Sequence, residues 1–123
     1  MELFTTTLGR WRLLKERNIE LIDTTVKSGE LAFAPEWAWV QGHKAGALSD
    51  GEYTELYYEK MRDSYKRRRE VWDRLLLTTH PVAIGCYCSA LPGTFCHRHL
   101  LKGILESICT SRQIPFLYYG EFQ

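Results

Sequence analysis

The sequence predicts a small three-layer α/β sandwich built on a mainly parallel, Rossmann-like sheet of about four strands. Three observations carry that expectation. The chain opens with a short strand, a helical pattern and a second strand, a βαβ unit whose strands must run parallel. The apolar run Val82-Ala83-Ile84-Gly85-Cys86-Tyr87 has the unbroken hydrophobicity of a central parallel strand. A second amphipathic helix then leads to a last strand over Ile114–Tyr119. A length of 123 residues fits one domain, spanning 1–123.

Taken in order, Leu3–Thr6 is rich in strand formers, and Leu8, Trp11 and Leu14 follow at helical spacing. Asn18 is placed to close that helix, and Ile19–Val26 alternates as a second strand. Residues 27–48 show no clear periodicity, and an irregular stretch of that length inside a domain is usually functional. Ser49 and Glu52 form a capping box, which predicts one long helix running to Pro81. Its apolar stripe passes through Tyr53, Tyr57, Met61, Tyr65 and Trp72, and Arg68 lies on that stripe. A loop over Cys88–Phe95 precedes a helix from about Cys96 to Arg112, which buries Leu101, Leu105 and Ile108.

Composition limits the function classes. Sixteen Lys and Arg against fifteen Asp and Glu leave a net charge of +1, too little for a general polyanion binder, so nucleic acid is not expected as a partner. No apolar run is long enough to span a membrane. Met1-Glu2-Leu3-Phe4 lacks the basic and apolar regions of an export signal, so a cytoplasmic setting is expected. The four cysteines are then expected to be free thiols, with Cys86 packed in the sheet and Cys88 at a pocket mouth. Homo-oligomerisation is left open.

In open parallel sheets ligands bind beyond the carboxyl ends of the strands. This sequence places Thr6 and Thr7 after the first strand, and Asp23, Thr24, Thr25 and Lys27 after the second. Beyond the third come Cys88, Phe95, Cys96, His97 and Arg98, the last three at a helix start, where free N–H groups and the dipole favour an anion. Arg98 is expected to anchor that anion, and Arg68, as a buried guanidinium, to meet Asp23 or the ligand itself. Trp37 and His43, from the irregular stretch, are expected to fold over the same place as an aromatic lid. Of His97 and His99, one should face the sheet and the other solvent. Zinc is set aside, because C-x-C followed by C-H-x-H lacks paired C-x₂₋₄-C knuckles; no metal and no cofactor is expected. No Cys-x₅-Arg phosphatase loop can be drawn.

Val82-Ala83-Ile84-Gly85-Cys86-Tyr87-Cys88, then Phe95-Cys96-His97-Arg98-His99-Leu100-Leu101, resembles the strand–loop–helix signature of the "domain of unknown function 488" family. Phe4-Thr5-Thr6-Thr7-Leu8-Gly9 and Ile22-Asp23-Thr24-Thr25 are similar to that family's first two strand ends. Where the family carries an acidic residue after the strand cysteine, this chain has Tyr87-Cys88-Ser89. The residues lead us to expect a pocket for a phosphorylated or nucleotide-derived small molecule. The resemblance to a branch of bacterial and phage proteins implies sequestration of a nucleotide signal, an anti-defence role. The alternative is an enzyme acting on a nucleotide or nucleoside through a Cys/His/Asp site.

Overall fold

In the computed structural model, which describes residues 1–88 and 94–123, four strands form one sheet. They are β1 (Glu2–Thr7), β2 (Glu20–Asp23), β3 (Val82–Cys86) and β4 (Leu117–Glu121). Their spatial order is β2-β3-β1-β4 and every pairing is parallel. Five helices are described: α1 (Trp11–Glu16), α2 (Trp37–Lys44), α3 (Asp50–Arg67), α4 (Arg69–Leu76) and α5 (His97–Arg112). The expected α/β sandwich with a Rossmann-like sheet is the architecture found.

Side-chain alternation explains the three layers. Leu3, Val82 and Ile84 point to one face, where they share a core with Tyr57, Met61, Trp72, Leu76, Leu101 and Leu105 from α3, α4 and α5. Ala83 points to the other, where Leu14 of α1, Ile19 and Phe122 cover it. All five residues of β3 are buried, as its unbroken apolar run requires of a strand covered on both faces.

Several boundaries move, each for a local reason. The second strand stops at Asp23, short of Val26. The Asp23 carboxylate accepts hydrogen bonds from the Thr25 backbone N–H (2.9 Å), the Thr25 hydroxyl (2.7 Å) and the Ser28 hydroxyl (2.5 Å), which turns the chain out of the sheet. Gly29 closes this turn at a point where a Cβ would sit 2.4 Å from the Thr25 nitrogen, so no larger residue fits. Within the stretch expected to be irregular, Trp37–Lys44 is helical. Asn18, with φ of 57°, ends the first helical segment as expected. Of the expected loop Cys88–Phe95, residues 89–93 lie outside the described residues.

The capping box forms: the Ser49 hydroxyl accepts from the Glu52 N–H (3.1 Å), and Glu52 accepts from the Ser49 N–H (3.0 Å). The helix it starts does not run on to Pro81. It breaks at Arg68 (φ −123°, ψ 41°), and α4 begins at Arg69. The break lets the fully buried Trp72 donate its indole N–H to the Ser64 hydroxyl (3.0 Å), which in turn donates to the Ala32 carbonyl (2.6 Å). Arg68 is therefore not on a buried stripe, because the stripe changes phase there. Its side chain is exposed and makes no hydrogen bond to Asp23.

Candidate functional site

Parallel pairing brings Thr7, Asp23, Cys86 and Glu121 to one edge of the sheet. The connections that follow β1 and β3 leave in opposite directions, toward β2 and β4, so the switch point lies where Thr7 pairs with Cys86. A cleft of about 600 Å³ opens at this edge. Its walls carry Trp37 and His43 of α2, Tyr53 of α3, Tyr87 and Phe95; its rim carries Lys27 and Lys44; its floor is Cys86, Cys88, Cys96 and His97.

Aromatic packing shapes the cleft. His43 lies against Phe95 (4.8 Å between centroids), and Phe95 meets the Tyr53 ring edge-on (5.2 Å). Burial, with the nearby sulfurs behind it, raises the Tyr53 hydroxyl pKa and keeps it a neutral donor. The His43 Nε2 is paired with Asp50 (2.5 Å). The Lys27 ammonium sits 5.2 Å from the Trp37 ring centre, and Trp37 is 44% exposed, so both have a face open to solvent.

The floor is built from the end of β3 and the start of α5. His97 is buried, and its Nε2 lies 3.0 Å from the Thr24 carbonyl and 2.9 Å from the Thr24 hydroxyl. A carbonyl only accepts, so Nε2 carries the proton; the Thr24 hydroxyl spends its own on the Gly85 carbonyl (2.9 Å). Burial lowers the His97 pKa and holds the ring neutral. Nδ1 is thereby left as a bare lone pair, 3.8 Å from the Cys96 sulfur. The Cys86 and Cys96 thiols lie against the Cys88 sulfur and hold it well below the ordinary thiol range as a thiolate, with Arg98 and Lys44 assisting. Cys96, which donates to its neighbours and is buried, is pushed up. The Cys86 and Cys88 sulfurs thus converge, as residues two apart along a strand direction do, although Cys88 alone of the two is partly exposed.

Eight of the expected residues line the cleft: Thr25, Lys27, Trp37, His43, Cys88, Phe95, Cys96 and His97. Six do not. Thr6 is buried in β1 with its hydroxyl on the Thr7 carbonyl, Thr7 closes that strand, Asp23 is consumed by its turn, and Thr24 holds His97. Arg68 is remote. Arg98 is 1% exposed; its guanidinium is held by Glu121 of β4 (3.0 and 3.3 Å) and donates to the Cys86 sulfur (3.0 Å). It is an internal strut beneath the cleft and is not among the residues that line it. His97 faces inward and His99 outward, as expected. Sequence reasoning missed Lys44 and Tyr53. Lys44 ends a helix inside the stretch whose sequence shows no periodicity, and Tyr53, first on the apolar stripe of α3, carries the signal of a core residue.

The fold and the site together define a small Rossmann-like domain with a sulfur-floored cleft at its switch point. The chain belongs to the DUF488 family: the family model described as "Active DUF488-N3 subclade" matches residues 14–108, which hold β2, α2 through β3, and most of α5. No curated protein and no solved structure matches the chain. No helix among the described residues is long and apolar enough to cross a membrane.

Proposed function

We propose that the cleft binds a phosphorylated, nucleotide-derived small molecule. The observation that carries this reading is the character of the lining: four aromatic side chains, two lysines and two histidines, with no carboxylate among the described residues that line it. Aromatic faces suit a base, and lysines at the rim suit a phosphate. The volume matches a ligand of nucleotide size. A protein that returned such a ligand unchanged would serve to sequester a nucleotide signal, the anti-defence role.

Mass spectrometry of small molecules released on denaturation, followed by calorimetry with a nucleotide panel, tests the reading. Trp37→Ala should cost about 1–3 kcal/mol of binding, the worth of one stacked base. Lys27→Ala should cost about 1.5–3 kcal/mol, that of a charged hydrogen bond. Equal binding by both variants and the parent chain overturns it.

One observation favours turnover as a second reading: the Cys86 and Cys96 sulfurs and a ring nitrogen of His97 lie within 4.8 Å of one another on the floor of that same cleft, with Cys88 beside them. Chromatography of the nucleotide after incubation separates the two readings, since a binder returns it intact.

A further inference from the structure

The sulfur cluster has a geometry that ligand binding alone does not call for. The Cys86 sulfur, the Cys96 sulfur and a ring nitrogen of His97 all lie within 4.8 Å of one another, and all three residues are buried. They stand on regular elements, the last residue of β3 and the N-terminal end of α5, which fix their mutual positions. The Cys88 sulfur lies against both thiols from the cleft side.

The surroundings are those of a metal centre. A ligating histidine needs one nitrogen bare toward the metal and the other pinned by an outer acceptor that fixes tautomer and ring angle. His97 has both: Nε2–H is held by the carbonyl and hydroxyl of Thr24, and Nδ1 faces the sulfurs. A thiolate bound to metal gains from an N–H donor behind it, and Arg98, itself fixed by Glu121, donates to the Cys86 sulfur. The linear spacing C-x-C then C-H hides this arrangement, because parallel topology, not a zinc knuckle, brings the two pairs together.

We infer that Cys86, Cys96 and His97 Nδ1 hold a thiophilic divalent ion, zinc by the softness and number of its donors, and that Cys88, which touches both thiols but lies outside the 4.8 Å cluster, moves in as the fourth ligand of a tetrahedral site. Each sulfur that still carries a proton releases it to solvent as its bond to the metal forms, and no electron is transferred. This site does not depend on the nucleotide reading; it is the floor of the cleft whether or not a nucleotide enters.

The test is cobalt(II) titration of the reduced, chelator-stripped protein, followed by displacement with zinc. One cobalt per chain is expected, with the strong visible bands of a tetrahedral ion and near-ultraviolet thiolate-to-cobalt absorption, and zinc should abolish both. Cys96→Ser should weaken binding at least about 100-fold, given that outer partners alone are worth 10–100-fold. Because a serine buried at position 96 can disturb folding, Cys88→Ser is the decisive variant: its side chain is partly exposed, and it should lose roughly a third of the thiolate absorption while circular dichroism is unchanged. Cys109→Ala, a thiol in the core away from the cluster, should bind as the parent does. A folded, reduced protein with no tetrahedral cobalt spectrum overturns the inference, and so does a Cys88→Ser variant with undiminished absorption. Nucleotide calorimetry on the metal-free protein is a separate measurement, so the two readings fail independently.

Discussion

The start of α5 and the junction between α3 and α4 each hold an arginine, and the fold uses them in opposite ways. Arg98 works through its side chain: the guanidinium is buried and bridges Glu121 of one edge strand to the Cys86 sulfur at the end of a central strand. Arg68 works through its backbone. Its N–H donates to the Ser64 carbonyl (2.7 Å) and its carbonyl accepts from Val71 (3.0 Å), so one helix ends and the next begins on a single residue, while the charge stays in water. A buried charge is stable only where the fold has built its counter-charge and hydrogen-bond partners in place. Where none is built, a hinge that delivers the side chain to solvent is the cheaper solution.

Removing the buried strut should have the largest effect. Arg98→Ala leaves Glu121 without its cation in a largely desolvated place and strips the donor from Cys86, which should cost about 3–5 kcal/mol. For a domain of this size that is a fall of roughly 10–20 °C in melting temperature. A loss below about 1 kcal/mol, measured by urea denaturation, would show that water reaches the pair and that the contrast between the two arginines is overdrawn.

The hinge can be attacked without touching Arg68. Ser64→Ala removes the group that accepts from the Trp72 indole and donates to the Ala32 carbonyl, so two buried polar groups lose their partner. A destabilisation of about 1–3 kcal/mol is expected, smaller than for Arg98 because no charge is stranded. Stability equal to that of the parent would mean the break at Arg68 is set by backbone preference alone.

These two sites also show why sequence carried the fold further than the site. The order of elements along the chain, the covered central strand and the capping box all follow from local signals: alternation, an unbroken apolar run, and Ser49 three residues before Glu52. Of the eight expected residues that line the cleft, six follow from a rule of topology, that ligands sit beyond parallel strand ends, and Trp37 and His43 from the stretch without periodicity. What stayed hidden depends on long-range geometry. Nothing near Arg98 in the chain announces Glu121, and nothing at Arg68 announces the hinge, since the apolar spacing continues on both sides of it. The convergence of Cys86 with Cys96 and His97 is hidden in the same way, because it exists only once β3 and α5 are placed.

A smaller effect separates the arginines by their reach. In the metal-free protein Cys88 should be alkylated before Cys86, Cys96 and Cys109, being the one thiol with exposure. Its pKa is depressed, so its thiolate persists as pH falls through the range where ordinary thiols become protonated, and labelling should continue at mildly acidic pH. Arg98 contributes to that depression and Arg68 does not. Mapping labelled sites by peptide mass spectrometry across pH checks this; faster labelling at Cys86 than at Cys88 would place the strand end elsewhere.

Arg68→Ala should produce the smallest change of all. The side chain is exposed, the backbone hydrogen bonds at the junction do not need it, and alanine adopts a φ of −123° without strain. Substitutions at such surface positions usually stay within about 0.5 kcal/mol. Binding of nucleotide or metal should be unaffected, because the residue lies on neither the cleft nor the cluster. Arg67→Ala and Arg69→Ala should behave alike in binding, although the first gives up an exposed pair with Asp63 and the second a contact over the Tyr65 ring. A selective loss of binding on Arg68→Ala, with stability intact, would mean that the helix re-forms through the junction when ligand binds and carries this guanidinium to the cleft. That result would turn the hinge from a static solution to a burial problem into a moving part.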